Sequence, residues 1–499
     1  MLKNDVLSIV GENNNQIIKS LSSYIAPVDE KITENQQRAV RGQQVGKRMI
    51  VMSKKELLVL RHIGNLRFVV CPERVYGKNL YALNKSAAEV FKLWDAGFSA
   101  DEAVESLKRS FSLPDGFLEQ TRLCMAEFNK LAHGEISHYF GAPTNDVGKL
   151  GGETSFWENR IPVYGGIEPT WGCNLNCCHC YIRDPIQQTL PIDNWKSILN
   201  QLVDAGCLHL AITGGEPLFY KDFTQLYEYA VKSGFIVTVF TNGTLIDETV
   251  ATLFAKFPPR RLEISIYGAT ERTYESVTRV KGSYERFIRG LDILSQYRDR
   301  VPVVLKSVLL QENVTERFDI QEIAINRGLA LAQNSLIRPR LDGNMGPEEH
   351  RLTPKIVAGT EMEIKSEFDA WDEFAVAATP ISRQTEVVDC SAGNVAFQID
   401  PLGRLGYCVI ARAPGINLLE IPMCDAWEIL GSNREQYFKK PTKCLSCQDS
   451  KFCDFCPGYL SIGNKSTASS DGDQLYHCAV ARDRHKQYLA RQNEERRKY

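Results

Sequence analysis

Residues 171–181 read WGCNLNCCHCY and place four thiols, Cys173, Cys177, Cys178 and Cys180, within eight positions. Cys173, Cys177 and Cys180 have the spacing C-x3-C-x2-C. Three thiolates on so short a loop can wrap one face of a cubane cluster and leave its fourth iron without a protein ligand, open to a small molecule. A zinc loop is the other chemistry this spacing serves. Cys178 is surplus to the triple.

The surroundings make metal chemistry the natural reading of these thiols. The 499-residue chain is too long for one compact core and suggests about three domains. Its 43% hydrophobic and 24% charged residues are ordinary for globular protein, and a net charge of -2 points to neither a nucleic-acid nor a membrane-surface partner. The opening residues lack a secretory pattern, and no apolar run reaches the roughly 18 residues of a spanning helix, so a cytoplasmic, soluble protein is expected. Reducing cytosol disfavours structural disulfides. Of 15 cysteines, four lie at 173–180 and eight between Cys390 and Cys478. Cys71, Cys124 and Cys207 stand apart and read as inert thiols.

Strand-like runs alternate with helix-like ones, the first ending just before this stretch and the others following it: VYGGIEPT, LHLAIT, FIVTVF, RLEISIY, VPVVLKSVLL and LALAQNSLI. Six β-then-α units predict an α/β fold with a parallel sheet, a partial barrel of TIM type over 156–345. Polar or Gly-rich loops follow several strands, where such barrels keep their chemistry. On the N-terminal side, 1–47 reads as a flexible extension and 48–134 as a small sheet followed by three helices. There Asn84 is placed to cap the first helix, Gly97 to end it, and Ser99 with Glu102 to cap the second. Residues 135–155 read as a linker, 346–385 as a helical bridge, 386–485 as a Cys-rich module and 486–499 as a basic, solvated helical tail.

After the second barrel strand comes Thr213-Gly214-Gly215-Glu216-Pro217. Glycines admit close backbone approach, and a carboxylate beside them can accept hydrogen bonds from an ammonium group. With the C-x3-C-x2-C loop, this GGEP stretch resembles the radical SAM enzymes. The resemblance implies a 4Fe-4S cluster on Cys173, Cys177 and Cys180 whose free iron binds S-adenosyl-L-methionine (SAM). Reductive cleavage of SAM then yields a 5'-deoxyadenosyl radical. It also implies SAM contacts from Gly214, Gly215, Glu216, Asn242 in TNGT, Ser265 in EISIYGAT and His179.

The C-terminal cysteines, Cys390, Cys408, Cys444, Cys447, Cys453, Cys456 and Cys478, include a paired C-x2-C arrangement that by itself would suit a zinc ribbon. In order they resemble the SPASM domain, although CDFC has two residues where that pattern usually has three. This resemblance implies two auxiliary 4Fe-4S clusters. Cys444, Cys447, Cys453 and Cys478 would hold one. Cys390, Cys408 and Cys456 would hold the other, with Cys424 a candidate further ligand. Residues 48–134, notably LNKSAAEVFKLWDAGFSADEAVESLKRSF, resemble the PqqD-like RiPP recognition element, a winged-helix-like α+β domain that binds leader peptides; its helices show no basic stripe for nucleic acid.

Together these resemblances imply a radical SAM maturase of a ribosomally made precursor peptide, held by its leader and served by flavodoxin or ferredoxin. Thioether formation between cysteine sulfur and carbon is the expected reaction, with carbon–carbon cross-linking and epimerisation as alternatives. A non-catalytic iron–sulfur or zinc peptide-binding scaffold is the alternative from another class. Lys306 and Arg338, near the ends of the fifth and sixth strands, are polar candidates without an assigned role.

Overall fold

A computed structural model describes residues 50–496 except 53–56, 64–65, 71–79, 84, 114–115, 134–156, 158, 183–187, 364–386, 389, 455, 457 and 459–466. The expected extension, linker, second half of the helical bridge, Asn84 cap and Cys71 lie outside the described residues.

Four strands come first: β1 (Ile50–Met52), β2 (Leu57–Ile63), β3 (Leu66–Val70) and β4 (Leu80–Leu83). They pair antiparallel in sequential order. Helices α1 (Lys85–Asp95), α2 (Ala100–Lys108) and α3 (Phe117–Ala132) follow. Gly97 adopts φ +84 just beyond α1, a left-handed stop that glycine makes at no steric cost. Ser99 and Glu102 form the expected reciprocal cap of α2, with Ser99 N–H donating to Glu102 Oε2 at 2.8 Å. Apolar faces of α1 and α3 meet in a core of their own, where Phe91 and Phe128 pack edge to face at 5.0 Å.

The six expected β/α units are present. Strands β5 (Tyr164–Ile167), β6 (His209–Ile212), β7 (Ile236–Thr241), β8 (Arg261–Ser265), β9 (Val303–Val308) and β10 (Ala330–Asn334) pair parallel in sequential order. Between them run α4 (Ile192–Asp204), α5 (Phe223–Lys232), α6 (Glu248–Lys256), α7 (Glu271–Thr278), α8 (Ser283–Ser295) and α9 (Arg317–Asn326). Trp195, Leu199, Phe223, Tyr227, Phe254 and Phe287 lie on the inner faces of these helices and are buried against the sheet.

The sheet is larger than expected. Beyond α10 (Pro354–Glu363), strand β11 (Ala396–Ile399) pairs parallel with β5, and β12 (Arg404–Gly406) and β13 (Pro414–Asn417) continue antiparallel, so nine strands run β10-β9-β8-β7-β6-β5-β11-β12-β13. The first part of the Cys-rich segment therefore shares the barrel's core through Phe397, Ile399, Leu405 and Trp427. Gly165 and Gly166 make the joint possible. A Cβ on Gly165 would lie 2.6 Å from the Phe397 ring, and one on Gly166 would lie 1.9 Å from Gln398 Oε1.

Helices α11 (Met423–Ser432), α12 (Arg434–Phe438), α13 (Thr442–Leu445) and α14 (Thr467–Arg496) complete the described chain. Residues 486–496, expected as a solvated arm, are the last turns of α14. Tyr488 is buried with Met362 and Phe452, and Arg491 donates to the Met362 carbonyl. The arginine-rich composition suggested solvent, but its apolar and hydrogen-bonding partners lie more than 30 residues away and are invisible locally. No helix among the described residues is long and apolar enough to cross a membrane.

Candidate active site

The cysteine loop leaves the C-terminal end of β5 and is held from below by α7. Asn176 N–H donates to Thr278 O at 3.0 Å and Cys178 N–H to Val277 O at 2.9 Å. The other end of α7 is capped by Thr270 and by Glu316, which accepts from Ala269 N–H at 2.7 Å, Thr270 Oγ1 at 2.9 Å and Thr273 Oγ1 at 2.5 Å. Burial raises the Glu316 pKa, but these bonds outweigh it and leave the carboxyl below its ordinary range. A depressed carboxyl adds stability above its unfolded pKa and loses it as pH falls through the folded value. Glu316→Gln should therefore lower the unfolding midpoint at neutral pH, with the gap from wild type closing on acidification. A gap that stayed constant with pH would refute this role.

Cys173, Cys177 and Cys180 converge on one another. Cys173 Sγ accepts from Leu175 N–H at 3.4 Å and lies 3.8 Å from Asn242 Nδ2. Burial pushes the Cys173 thiol up to about 12 and Cys177 well above the usual range, and the neighbouring thiols push each further. Three half-buried sulfurs so close cannot all carry charge without a compensating cation, so this donor set fits an iron–sulfur cluster, which would hold them as thiolates. Cys178 differs. Its side chain is buried with Val277, Leu310 and Ile337.

The GGEP turn packs against the start of the cysteine loop. Gly215 N–H donates to Thr170 O and Glu216 N–H to Gly172 O, both at 2.9 Å. Gly214 has φ +125, and a Cβ on Gly215 would come within 2.4 Å of Trp171 O, so only glycine allows the two backbones this contact. Glu216 is fully buried and accepts from Thr241 Oγ1 and Asn242 N–H at 2.7 Å and from Leu218 N–H at 3.1 Å. Burial pushes its pKa up to about 7 against these bonds. Asn242 reaches on, donating to Asn174 Oδ1 at 3.0 Å. Glu216 and Asn242 thus lock the three strand-end loops together.

His179 stands 5.2 Å from the Tyr267 ring, and burial, aided by His350, holds its pKa down to about 4, a neutral imidazole. Ser265 lies at the end of β8 and bonds Tyr267. It also lines a cavity of about 520 Å³ over the ends of β7 to β10, together with Tyr181, Glu263, Lys306 and Arg338. Lys306 Nζ lies 3.3 Å from Glu263 Oε2. The opposite wall comes from α14, through His477, Val480 and Arg484, and from Asp454, which is bonded by His477 at 2.8 Å and Arg484 at 3.1 Å. Burial raises the Asp454 pKa, but those two partners prevail and bring it to about 2.

Of the C-terminal cysteines, Cys456 lies near Cys408 and Cys390, whose charge raises its pKa after burial does. Each of the three sulfurs accepts a backbone N–H, from Gly458, Ala411 and Ala392 respectively. Cys444 lies on α13, Cys447 is exposed in the turn after it, Cys453 follows the short helix 450–452, and Cys478 is on α14. Phe452 stacks on His485 of α14 at 4.8 Å, which docks this loop on the helix carrying Cys478. Cys424 is exposed on α11, beside Asp425.

Sequence reading missed the pair that fastens the cysteine loop to the C-terminal segment. Glu168, fully buried at the end of β5, accepts from Arg412 Nη1 and Nη2 at 2.6 and 2.8 Å and from Trp171 Nε1 at 2.7 Å. A lone acidic residue ending an apolar strand was the available signal.

Residues 167–322 match the Radical SAM superfamily, the class this sheet and cysteine loop define. The chain is a radical SAM enzyme. It is 25% identical over 322 residues to the AdoMet-dependent heme synthase of Methanosarcina barkeri, covering 58% of this chain and 89% of that protein. It is also 25% identical over 266 residues to the antilisterial bacteriocin subtilosin biosynthesis protein AlbA of Bacillus subtilis, covering 51% of this chain and 56% of that protein. The fold is similar to Streptococcus suis SuiB, solved bound to precursor peptide SuiA. The TM-score is 0.53 at 16% identity, with 84% of this chain and 98% of that one covered.

Proposed function

We propose that this enzyme modifies a ribosomally synthesised precursor peptide, forming thioether cross-links between cysteine sulfur and carbon. The cavity carries the proposal. It lies over the strand ends, borders the cysteine loop through Tyr181, and takes its far wall from the helix that bears Cys478. A site of this volume takes a few side chains of a peptide. The names of AlbA and SuiB's bound partner support a peptide substrate.

In this reading Cys173, Cys177 and Cys180 hold the SAM-binding cluster, and Gly214, Gly215, Glu216, Asn242, Ser265 and His179 surround SAM. Bound there, the cluster and SAM supply a 5'-deoxyadenosyl radical. Lys306, Glu263 and Arg338 orient the peptide, and α14 keeps water from it. Residues 386–485 act as a SPASM domain, with Cys390, Cys408 and Cys456 on one auxiliary cluster and Cys444, Cys447, Cys453 and Cys478 on the other. Residues 48–134 capture the leader as a PqqD-like element, through an edge of the β1–β4 sheet. Flavodoxin or ferredoxin delivers electrons in the cytoplasm.

Anaerobic incubation with SAM, reductant and short cysteine-bearing peptides encoded beside the gene tests this. A thioether is expected as loss of a hydrogen pair with blocking of one cysteine thiol. The same loss with all thiols free would mean a carbon–carbon bond, and unchanged mass with an inverted centre would mean epimerisation; either would overturn the thioether. Absence of 5'-deoxyadenosine with every peptide would favour a non-catalytic scaffold.

A further inference from the structure

We infer that Cys178, Glu312 and His350 form a separate site for one divalent metal ion of the zinc class. One ligand atom from each, a thiol sulfur, a carboxylate oxygen and an imidazole nitrogen, lies within 4.8 Å of the other two. The residues come from three distant segments: the cysteine loop, the loop after β9, and the short helix Gly346–His350. A mixed sulfur, nitrogen and oxygen set is the ligand chemistry zinc favours, and three protein ligands leave a fourth position for water or another donor.

Two features separate this cluster from a chance ion pair beside a thiol. Glu312 Oε1 meets His350 Nδ1, yet Glu312 Oε2 is buried with no hydrogen-bond partner. An orphaned carboxylate oxygen is costly unless something binds it. The backbone is also arranged to hold the donors in place. Gln311, next to Glu312, brackets His350 by donating from Nε2 to Glu349 O at 2.9 Å and Arg351 O at 2.8 Å, and from its N–H to His350 O at 3.1 Å. Asn313, on the other side of Glu312, is fully buried and bonds Tyr267 O and Val308 O. Cys178 is fixed by its N–H bond to Val277 and by the apolar side chains around it.

An ion here would pin the cysteine loop, through Cys178, to the loop after β9 and the helix Gly346–His350. The inference does not depend on peptide modification. It concerns a centre that holds no SAM, and it would stand if the substrate were something else.

The test uses the full chain with its iron in place, given zinc chloride anaerobically and then desalted. Zinc content and the zinc X-ray absorption edge are measured. One retained zinc per chain is expected, with one sulfur at about 2.3 Å and nitrogen or oxygen neighbours at about 2.0–2.2 Å. His350→Ala and Glu312→Ala should lose the zinc and keep wild-type iron. No retained zinc in wild type would overturn the inference. So would a sulfur-only shell, which would mean zinc in the iron-site cysteines, or retention by both variants. Should a variant lose iron as well, the wild-type shell alone decides: one sulfur with both nitrogen and oxygen supports the site, and two or more sulfurs overturn it.

Discussion

Replacing Cys173, Cys177 or Cys180 by serine should abolish SAM cleavage and lower the iron content by about four atoms per chain. Cys178→Ser should leave both unchanged. Serine oxygen is a poor substitute for a thiolate on iron, and each of the three sulfurs has no nearby replacement: Cys178, the adjacent thiol, is buried among Val277, Leu310 and Ile337. Moving Cys178 onto the cluster would mean breaking its N–H bond to Val277 and unpacking that group. Iron loss in the Cys178→Ser variant equal to that of the other three would sink the assignment of the triple. Retention of cleavage in a Cys177→Ser variant would do the same.

Arg412→Ala should be strongly destabilising. It would leave the fully buried Glu168 carboxylate without its bidentate partner, and breaking a buried pair by removing one member costs about 3–5 kcal/mol. The fall should appear in the midpoint of chemical unfolding. Glu168→Gln combined with Arg412→Met should recover part of it, because no uncompensated charge then stays buried. SAM binding should also weaken in the single variant, since Glu168 holds Trp171 at the entrance to the cysteine loop. An unchanged midpoint for Arg412→Ala would show that water reaches Glu168 and that the pair contributes little.

These two predictions draw on different kinds of information. The C-x3-C-x2-C spacing, the GGEP turn, the Ser99–Glu102 cap and the six β/α units were legible in the sequence because each depends on residues a few positions apart. Backbone geometry converts such spacings directly into a loop, a cap or a strand.

Other contacts depended on sheet register and had no local trace. Arg412 meets Glu168 across 244 positions only because β11 adds to β5, and the doublet Gly165-Gly166 was the sole hint that another strand approached there. Glu312 and His350 meet Cys178 only because α7 and the loop after β9 press on the same side of the cysteine loop. Composition suggested that 486–499 was solvated, whereas Tyr488 is buried against Met362 and Phe452. The sequence by itself determined the class of enzyme and the spacing of the thiols in its cysteine loop, because spacing and turn residues act locally. Only the tertiary structure decided what each neighbouring thiol faces and which helix closes the cavity, because long-range packing selects partners that no periodicity encodes.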